Sequence, residues 1–354
     1  MRIVVAMSGG VDSSVAAALL AEAGHEVIGL SMQLYDQQEG HAGFGTCCSI
    51  DDLHDARRVA AALGIPHYIV NFEEQFQERV IANFVSEYAT GRTPIPCARC
   101  NSDLKFAALL DRARGLDAEM VATGHYARVD RDAARNRYVL RRGFDASKDQ
   151  SYFLFSLDQE QLARASFPVG SWTKNSVRQY ARTHALPVAD KPDSQEICFV
   201  PDRDYAAFVE RQAPDVRAEG PVVDRSGTPL GRHAGVHRFT VGQRKGLDVS
   251  APGPWYVLEI RPSDRTVVVG PRDALERTAL TASRVNWIAC EPPVAPRRVT
   301  AQIRHRHVPA AANVQALDAQ RASIAFDVPQ VAVTPGQAVV FYDGDVVIGG
   351  GWID

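Results

Sequence analysis

Two sets of residues in this chain have the types and spacing to do chemistry: a glycine–serine loop near the start, and cysteines spread through the chain. The loop, Ser8 to Ser14 (SGGVDSS), follows the apolar run IVVA and reads straight into an Ala/Leu-rich helical segment. With no side chain at Gly9 and Gly10, backbone N–H groups there can approach phosphate oxygens closely, and the following helix adds its positive end. Ser8, Ser13 and Ser14 add hydroxyl donors. The GxxxxGK[ST] loop of kinases and GTPases carries a lysine that reaches the β and γ phosphates, and this loop has none, so γ-phosphoryl transfer is not expected of it. A plain tight turn between strand and helix is the competing reading.

The cysteines stand at 47, 48, 97, 100, 198 and 290. Met1-Arg2 leads directly into a strand and not into a cleavable signal, so the thiols are expected to serve redox, nucleophilic or metal chemistry in a cytoplasmic protein. Cysteine can carry sulfur as a persulfide and release it by thiol exchange, a cycle that needs two cooperating thiols. Cys100 directly precedes an expected helix beginning at Asn101, whose dipole would favour the thiolate. Cys47 and Cys48 lie in a Gly/His-rich loop, and together with Cys97 and Cys100 they offer four thiols for zinc, although adjacent cysteines are awkward ligands of one tetrahedral ion. Cys290 reads as a small buried hydrophobe.

These groups need elements to position them. Strand-length apolar runs at 3–6, 26–32, 67–71 and 119–123 alternate with helix-period segments at 12–23, 51–63, 74–90 and 101–114. That alternation predicts an α/β domain with a doubly wound parallel sheet over 1–205, binding ligands at the carboxyl ends of its strands. Closely spaced Pro and Gly then interrupt short strands, predicting a small β-rich central domain over 206–275. Alternating segments with turn signals such as Asp343-Gly344 predict a β-barrel over 276–354. The chain of 354 residues is 45% hydrophobic and 23% charged, which excludes disordered and fibrous classes. No apolar run reaches the roughly 18 residues of a membrane span. A net charge of −3 does not announce a nucleic-acid binder. Basic residues nevertheless cluster at Arg128, Arg131, Arg135, Arg137, Arg141, Arg142 and Lys148, and again at Arg297, Arg298, Arg304, His305, Arg306 and His307. Each cluster could contact RNA or be a solvated face.

SGGVDSS between strand and helix resembles the PP-loop of the ATP pyrophosphatase superfamily, which cleaves ATP between the α and β phosphates and adenylates an oxygen of the substrate. Together with TPIPCARCNSDLKF, ATGHYAR, KDQSYFLF, DKPDSQEICFV, VGQRKGL and TPGQAVVFY, the loop makes the whole chain similar to the bacterial tRNA-specific 2-thiouridylases. The resemblance implies an enzyme that uses ATP to adenylate the C2 oxygen of a tRNA wobble uridine and then replaces that oxygen with sulfur. It implies ATP contacts at Ala6, Met7, Ser8, Gly9, Gly10, Val11, Asp12 and Ser13, at Met32, and at Gly124, with Mg2+ neutralising pyrophosphate and Asp12 as its partner. Cys198 would hold the persulfide and Cys100 would be the nucleophile that ends in a disulfide with it, which requires Cα atoms within about 7 Å at some stage.

The same resemblance implies tRNA contacts at Ile95, Pro96, Cys97, His125, Lys148, Asp149, Gln150, Arg304, His305 and Gln337, which brings both basic clusters into use. An anticodon-loop base can be splayed into a pocket while cations hold the phosphates. The partners implied are tRNAs for lysine, glutamate and glutamine, and a persulfide donor, either a cysteine desulfurase or a sulfur-relay protein. The chain departs from the common family pattern at Cys97, where many members carry aspartate. This adds a third thiol, and Cys97, Cys100 and Cys198 could instead ligate a [4Fe-4S] cluster with one open iron, as in some related thiolation enzymes. Two other classes stay in play: an amidotransferase-like PP-loop synthetase, which would not need Cys100 and Cys198, and a non-catalytic RNA-binding protein that keeps the loop as a relic.

Overall fold

The computed structural model describes residues 1–34, 50–193, 197–200, 202–247, 249 and 253–354. Its strands are β1 Arg2–Ala6, β2 Glu26–Gln33, β3 His67–Asn71, β4 Met120–Ala122, β5 Ala127–Asp132, β6 Arg137–Arg142, β7 Ala165–Ser166, β8 Gly220–Val223, β9 Pro229–His233, β10 Tyr256–Arg261, β11 Thr266–Gly270, β12 Glu276–Trp287, β13 Arg297–Gln302, β14 Ala310–Ala316, β15 Ala322–Val331, β16 Ala338–Asp343 and β17 Val346–Ile353. Its α-helices are α1 Val11–Glu22, α2 Ile50–Leu63, α3 Glu73–Phe76, α4 Ala82–Ala89, α5 Pro96–Arg99, α6 Leu109–Arg114, α7 Gln159–Ala163, α8 Lys174–Thr183 and α9 Tyr205–Gln212. Cys47 and Cys48 lie outside the described residues.

The first sheet is parallel, in the order β3-β2-β1-β4-β7. Its residues alternate between two buried faces. Ile3 and Val5 pack with Leu20 of α1 and with Ala56 and Val59 of α2, while Val4 faces Leu104, Phe106 and Leu109. This is the two-sided burial expected of a sheet covered by helices on both faces. The chain runs outward from β1 to β3 and then returns to β4 on the other side of β1. The order therefore reverses between β1 and β4, and ligands of such sheets bind at that reversal. The alanines of α1 also have a reason. Val11, Val15 and Ala18 pack on Tyr126, Val177 and Ala181, while Ala17 and Leu20 pack toward the sheet. Small side chains let α1 fit between α8 and the strands, leaving Ala16 and Ala17 fully buried.

One expected helix is misplaced. The helix predicted over 101–114 begins at Pro96, with Ile95 as its N-cap, and continues through a π-helical stretch, Cys100–Ala108, into α6. Proline is preset for the first helical turn and lacks only an N–H that would have no partner there. Cys100 is therefore one turn inside the helix. Dipole effects fall off within the first turn, which Cys97 occupies, so the helix start does not explain activation of Cys100.

The central sheet runs β10-β11-β8-β9. The third sheet closes into a six-stranded barrel, β12-β15-β14-β13-β16-β17, by pairing of β12 with β17. Gly349 permits that closure, because a Cβ there would stand 2.4 Å from the Asn286 carbonyl oxygen. The β5–β6 hairpin, which comes from the first 205 residues, joins the barrel on β17 through Val346 and Arg141. Among the described residues no helix is long and apolar enough to cross a membrane.

Candidate active site

The loop leaving β1 lies at the sheet's reversal point. Gly9 adopts φ 70°, and a Cβ there would meet the Asp52 carbonyl oxygen at 2.2 Å, so glycine is required both by conformation and by the close approach of α2. Gly10 is the N-cap of α1 and supplies no side-chain cap. Ser13 Oγ accepts from Ser8 N at 3.2 Å, and Ser13 and Ser14 hydroxyls donate to the Gly10 carbonyl at 3.2 and 2.8 Å. The hydroxyls shape the loop, and the first-turn N–H groups of α1 face outward from its end, an arrangement that binds anions. Gly124, following β4, sits on this turn: a Cβ there would stand 2.5 Å from Ser13 N. Met32 is buried near the carboxyl end of β2. Ala6, Met7, Ser8, Gly9, Gly10, Val11, Asp12 and Ser13 thus share one strand end and one helix start with Gly124.

Asp12 departs from expectation. Its two carboxylate oxygens accept from Lys174 Nζ at 2.8 and 2.7 Å, and the Tyr126 hydroxyl donates to Oδ1 at 2.7 Å. Lys174 also lies 2.8 Å from Asp193, which receives Lys148 and Arg178 at the same distance. Burial pushes the Asp193 carboxyl up, but hydrogen bonds from Lys148 and Lys174 outweigh it and bring its pKa to about 2. Burial and the adjacent Asp12 carboxylate push the Tyr126 hydroxyl far above its ordinary range, so it stays a donor. A Mg2+ ligand set does not fit Asp12 here, since an ammonium covers both oxygens. On the loop's other side, Lys191 donates to the Gly9 carbonyl at 3.1 Å and pairs with Asp52 and Asp55 at 2.5 and 2.6 Å.

Cys100 is buried in the main hydrophobic cluster, and Cys198 is half-buried against that same cluster. The residue after Cys198, Phe199, fixes its segment by edge contacts with Phe76 and Phe84, ring centroids 5.6 and 5.0 Å apart. The fold therefore brings the two distant cysteine segments into one core. Cys97, one turn earlier, is exposed. Among the described residues no three His, Cys, Asp or Glu side chains converge as metal ligands, so Cys97, Cys100 and Cys198 do not form the triad an iron–sulfur cluster requires in this conformation. Burial pushes the Cys290 thiol up, in keeping with an inert half-buried position.

Several of the residues expected at tRNA are fixed in place by hydrogen bonds and ring contacts. Gln150 clips the segment after His125 by accepting from Tyr126 N at 2.9 Å and donating its own N–H to the Tyr126 carbonyl at 2.9 Å. His305 packs on Phe153 at 4.5 Å, and Asn101, beside Cys100, donates to the Phe153 carbonyl at 3.1 Å. Gln337 donates to the Thr93 carbonyl at 3.0 Å and shares with Arg304, Thr240 and Gln243 a cavity of about 500 Å3 that spans all three sheets' territories. His125 accepts or donates at Thr123 Oγ1 (2.7 Å) and lies between Phe106 and Phe167. Its burial, with Lys105 nearby, lowers its pKa well below the usual histidine range, so the ring is neutral. Ile95 and Pro96 are buried, which leaves Cys97 as the exposed member of that trio.

Asp149 is also consumed internally. Its carboxylate is 8% exposed and accepts from Arg142, Gly143 N, Ser151 N and Ser151 Oγ. It holds Arg142 over the Tyr342 ring, 3.5 Å from the centroid. The first basic cluster is largely consumed as well. Arg128 and Arg141 pair with Asp345, Arg135 with Asp132, and Arg137 with Glu291 and the Trp287 and Ile288 carbonyls. Its pairs with Asp345 and Glu291 bind the hairpin to the barrel side of the molecule. In the second cluster Arg297 and Arg298 pair with Asp343 and Asp327, while Arg304, His305 and Arg306 remain exposed.

An open parallel sheet with a lysine-free glycine–serine loop at its reversal point defines an α/β domain of the HUP class, and residues 1–202 match the family model described as tRNA methyl transferase HUP domain. Residues 206–271 match a tRNA methyl transferase PRC-barrel domain and 277–353 an aminomethyltransferase beta-barrel domain. Full-length relatives include tRNA-specific 2-thiouridylases from Geotalea uraniireducens, 56% identical over 100% of this chain and 95% of that one, and from Geobacter metallireducens, 54% identical over 100% and 96%. The enzyme of the same name from Acidobacterium capsulatum is 53% identical over 99% and 98%. The chain belongs to the tRNA-specific 2-thiouridylase family. Identity above half across the whole length outweighs the methyl transferase wording of the domain descriptions.

Proposed function

We propose that this chain is a tRNA-uridine 2-sulfurtransferase that activates the wobble uridine with ATP and exchanges its C2 oxygen for sulfur. In the first step the C2 oxygen bonds to the α-phosphorus of ATP, the α–β bridging P–O bond breaks with its electron pair leaving on pyrophosphate, and the N3 proton passes to solvent. The first-turn N–H groups of α1 meet the phosphates and Gly124 fixes that turn. In the second step the terminal sulfur of a Cys198 persulfide attacks C2 and AMP departs. The Cys100 thiolate then attacks the Cys198 sulfur, forming the Cys100–Cys198 disulfide and releasing 2-thiouridine. A thiol reductant and a persulfide donor reset the pair for the next cycle.

The observation that carries this reading is the joint placement of the two thiol segments. Cys100 lies in the main core cluster and the Cys198 segment packs against that same cluster, in a chain whose first strand ends in a glycine loop at a helix start. An amidotransferase-like synthetase has no use for that pairing. Lys148, Arg304, His305 and Arg306 then hold tRNA phosphates, while Asp149 acts through Arg142 rather than by touching RNA. The test is thiolation of unmodified tRNA with ATP and a persulfide donor, reading 2-thiouridine, AMP and pyrophosphate together. One of each per turnover supports the proposal; ADP in place of AMP removes it.

A further inference from the structure

The loop SGGVDSS carries no lysine, yet a lysine stands at it. We propose that Lys174, delivered by α8, is the cation that holds the departing pyrophosphate, an assignment that rests on the adenylating reading above. Its Nζ grips both oxygens of Asp12, a first-turn residue of α1, so the ammonium lies at the same helix start as the phosphate-facing N–H groups. The Lys174 side chain is 10% exposed, a level at which a lysine needs charged partners.

The arrangement lets Lys174 leave those partners without stranding them. Lys148, Lys174 and Arg178 all meet Asp193 at 2.8 Å, so Asp193 keeps Arg178 when Lys174 departs, even with Lys148 turned to tRNA. Asp12 keeps the Tyr126 hydroxyl. Removing a single partner from a buried ion pair costs several kcal/mol when it leaves an isolated charge, and here neither carboxylate is isolated. Asp145 accepts the Lys174 backbone N–H at 3.0 Å, not its ammonium, and so fixes the start of α8 while the side chain moves. Lys191 is differently placed: it is tied to the Gly9 carbonyl and anchors the loop itself. As the α–β bond breaks, Lys174 shifts from Asp12 to the β-phosphate oxygens. It transfers no proton and stabilises charge only as that charge develops on the leaving group. The same ammonium explains why Asp12 offers no open face to Mg2+.

Wild-type, Lys174→Met and Lys174→Arg enzymes are titrated calorimetrically with inorganic pyrophosphate and separately with AMP, alongside melting temperature and pyrophosphate release with tRNA. Lys174→Met is expected to lose about 30-fold or more in pyrophosphate affinity and about 10²-fold in release rate, as for removal of one preorganised donor, with AMP affinity held within about threefold. Lys174→Arg keeps pyrophosphate affinity within about threefold. Unchanged pyrophosphate affinity in Lys174→Met overturns the assignment, and so does equal loss of AMP and pyrophosphate affinity with a lowered melting temperature, the signature of a structural clamp. If the methionine variant does not fold, a crystal structure of the wild type with pyrophosphate decides. Lys174 Nζ is expected within about 3.2 Å of a phosphate oxygen, and its remaining on Asp12 refutes the proposal. Failure of the adenylating reading shows in the wild type alone, as absence of AMP and pyrophosphate.

Discussion

Replacing Gly124 by alanine tests whether the nucleotide cradle is set by the contact between the β4 loop and the start of α1. A Cβ at 124 would stand 2.5 Å from Ser13 N, 2.6 Å from the Asp12 carbonyl carbon and 2.9 Å from Asp12 Cβ. Two of these are backbone atoms, so no side chain can swing away. Ordinary contact needs 3.4 Å or more, so loop and helix must separate by about 1 Å. The helix cannot retreat, because it is buried between α8 and the sheet, with Val15, Ala16 and Ala17 at 0% exposure. Overpacking of this kind costs about 1–3 kcal/mol of stability. Misplacing reacting groups by about 1 Å costs about 10²-fold in rate. The assay is pyrophosphate release with tRNA at varied ATP, together with a thermal melt. Gly124→Ala is expected to lower kcat/KM for ATP by about 10²-fold. Gly115→Ala, where φ is −65° and the nearest atom is 3.4 Å away, serves as the tolerated control. Wild-type kinetics in Gly124→Ala would refute the reasoning that this contact sets the cradle.

Three further outcomes follow from the geometry. Asp193 is depressed to about 2 in the folded protein against an unfolded value near 3.9, so its stabilisation is present above pH 4 and is lost as pH falls through 2. The stability gap between wild type and Asp193→Asn, about 1–2 kcal/mol after allowing for solvent screening, should shrink across that window in acid titrations of unfolding; a pH-independent gap contradicts it. Histidine NMR should find His125 titrating well below the ordinary 6.5, because burial, with Lys105 nearby, lowers its pKa, and titration near 6.5 would contradict its placement. Gly349→Ala should cost about 2 kcal/mol or more by forcing β17 from β12, read as a denaturant midpoint shift, whereas an unchanged midpoint would mean the barrel closes elsewhere.

How much of this was legible in the sequence depends on whether the signal was local. The alternation of IVVA, EVIGLSM and HYIV with helical segments was enough to predict the parallel sheet, because two-sided burial writes itself into each strand. Gly9 and Gly10 were readable for the same reason. The helix expected from 101 starts earlier, at Pro96, because a proline suits the first helical turn. In sequence the arginines of 128–142 fit either an RNA contact or a solvated face, while the period-two alternation of RYVLRR, with a turn at Asn136 (φ 50°), is the sign of a hairpin that pairs with the barrel. Lys174 carried no signal at all: nothing in TKNSVRQY ties it to Asp12, and only the packing of α8 on α1 does. Asp149 looked like an RNA contact because buried and exposed carboxylates are indistinguishable in a string of letters.

The central claim, that activation by ATP and sulfur delivery by Cys198 are separate steps of one reaction, is tested most directly by single turnover of Cys198→Ser with ATP and unmodified tRNA. The account predicts a burst of about one pyrophosphate per tRNA, with no 2-thiouridine. Formation of 2-thiouridine by this variant at the wild-type rate would contradict it.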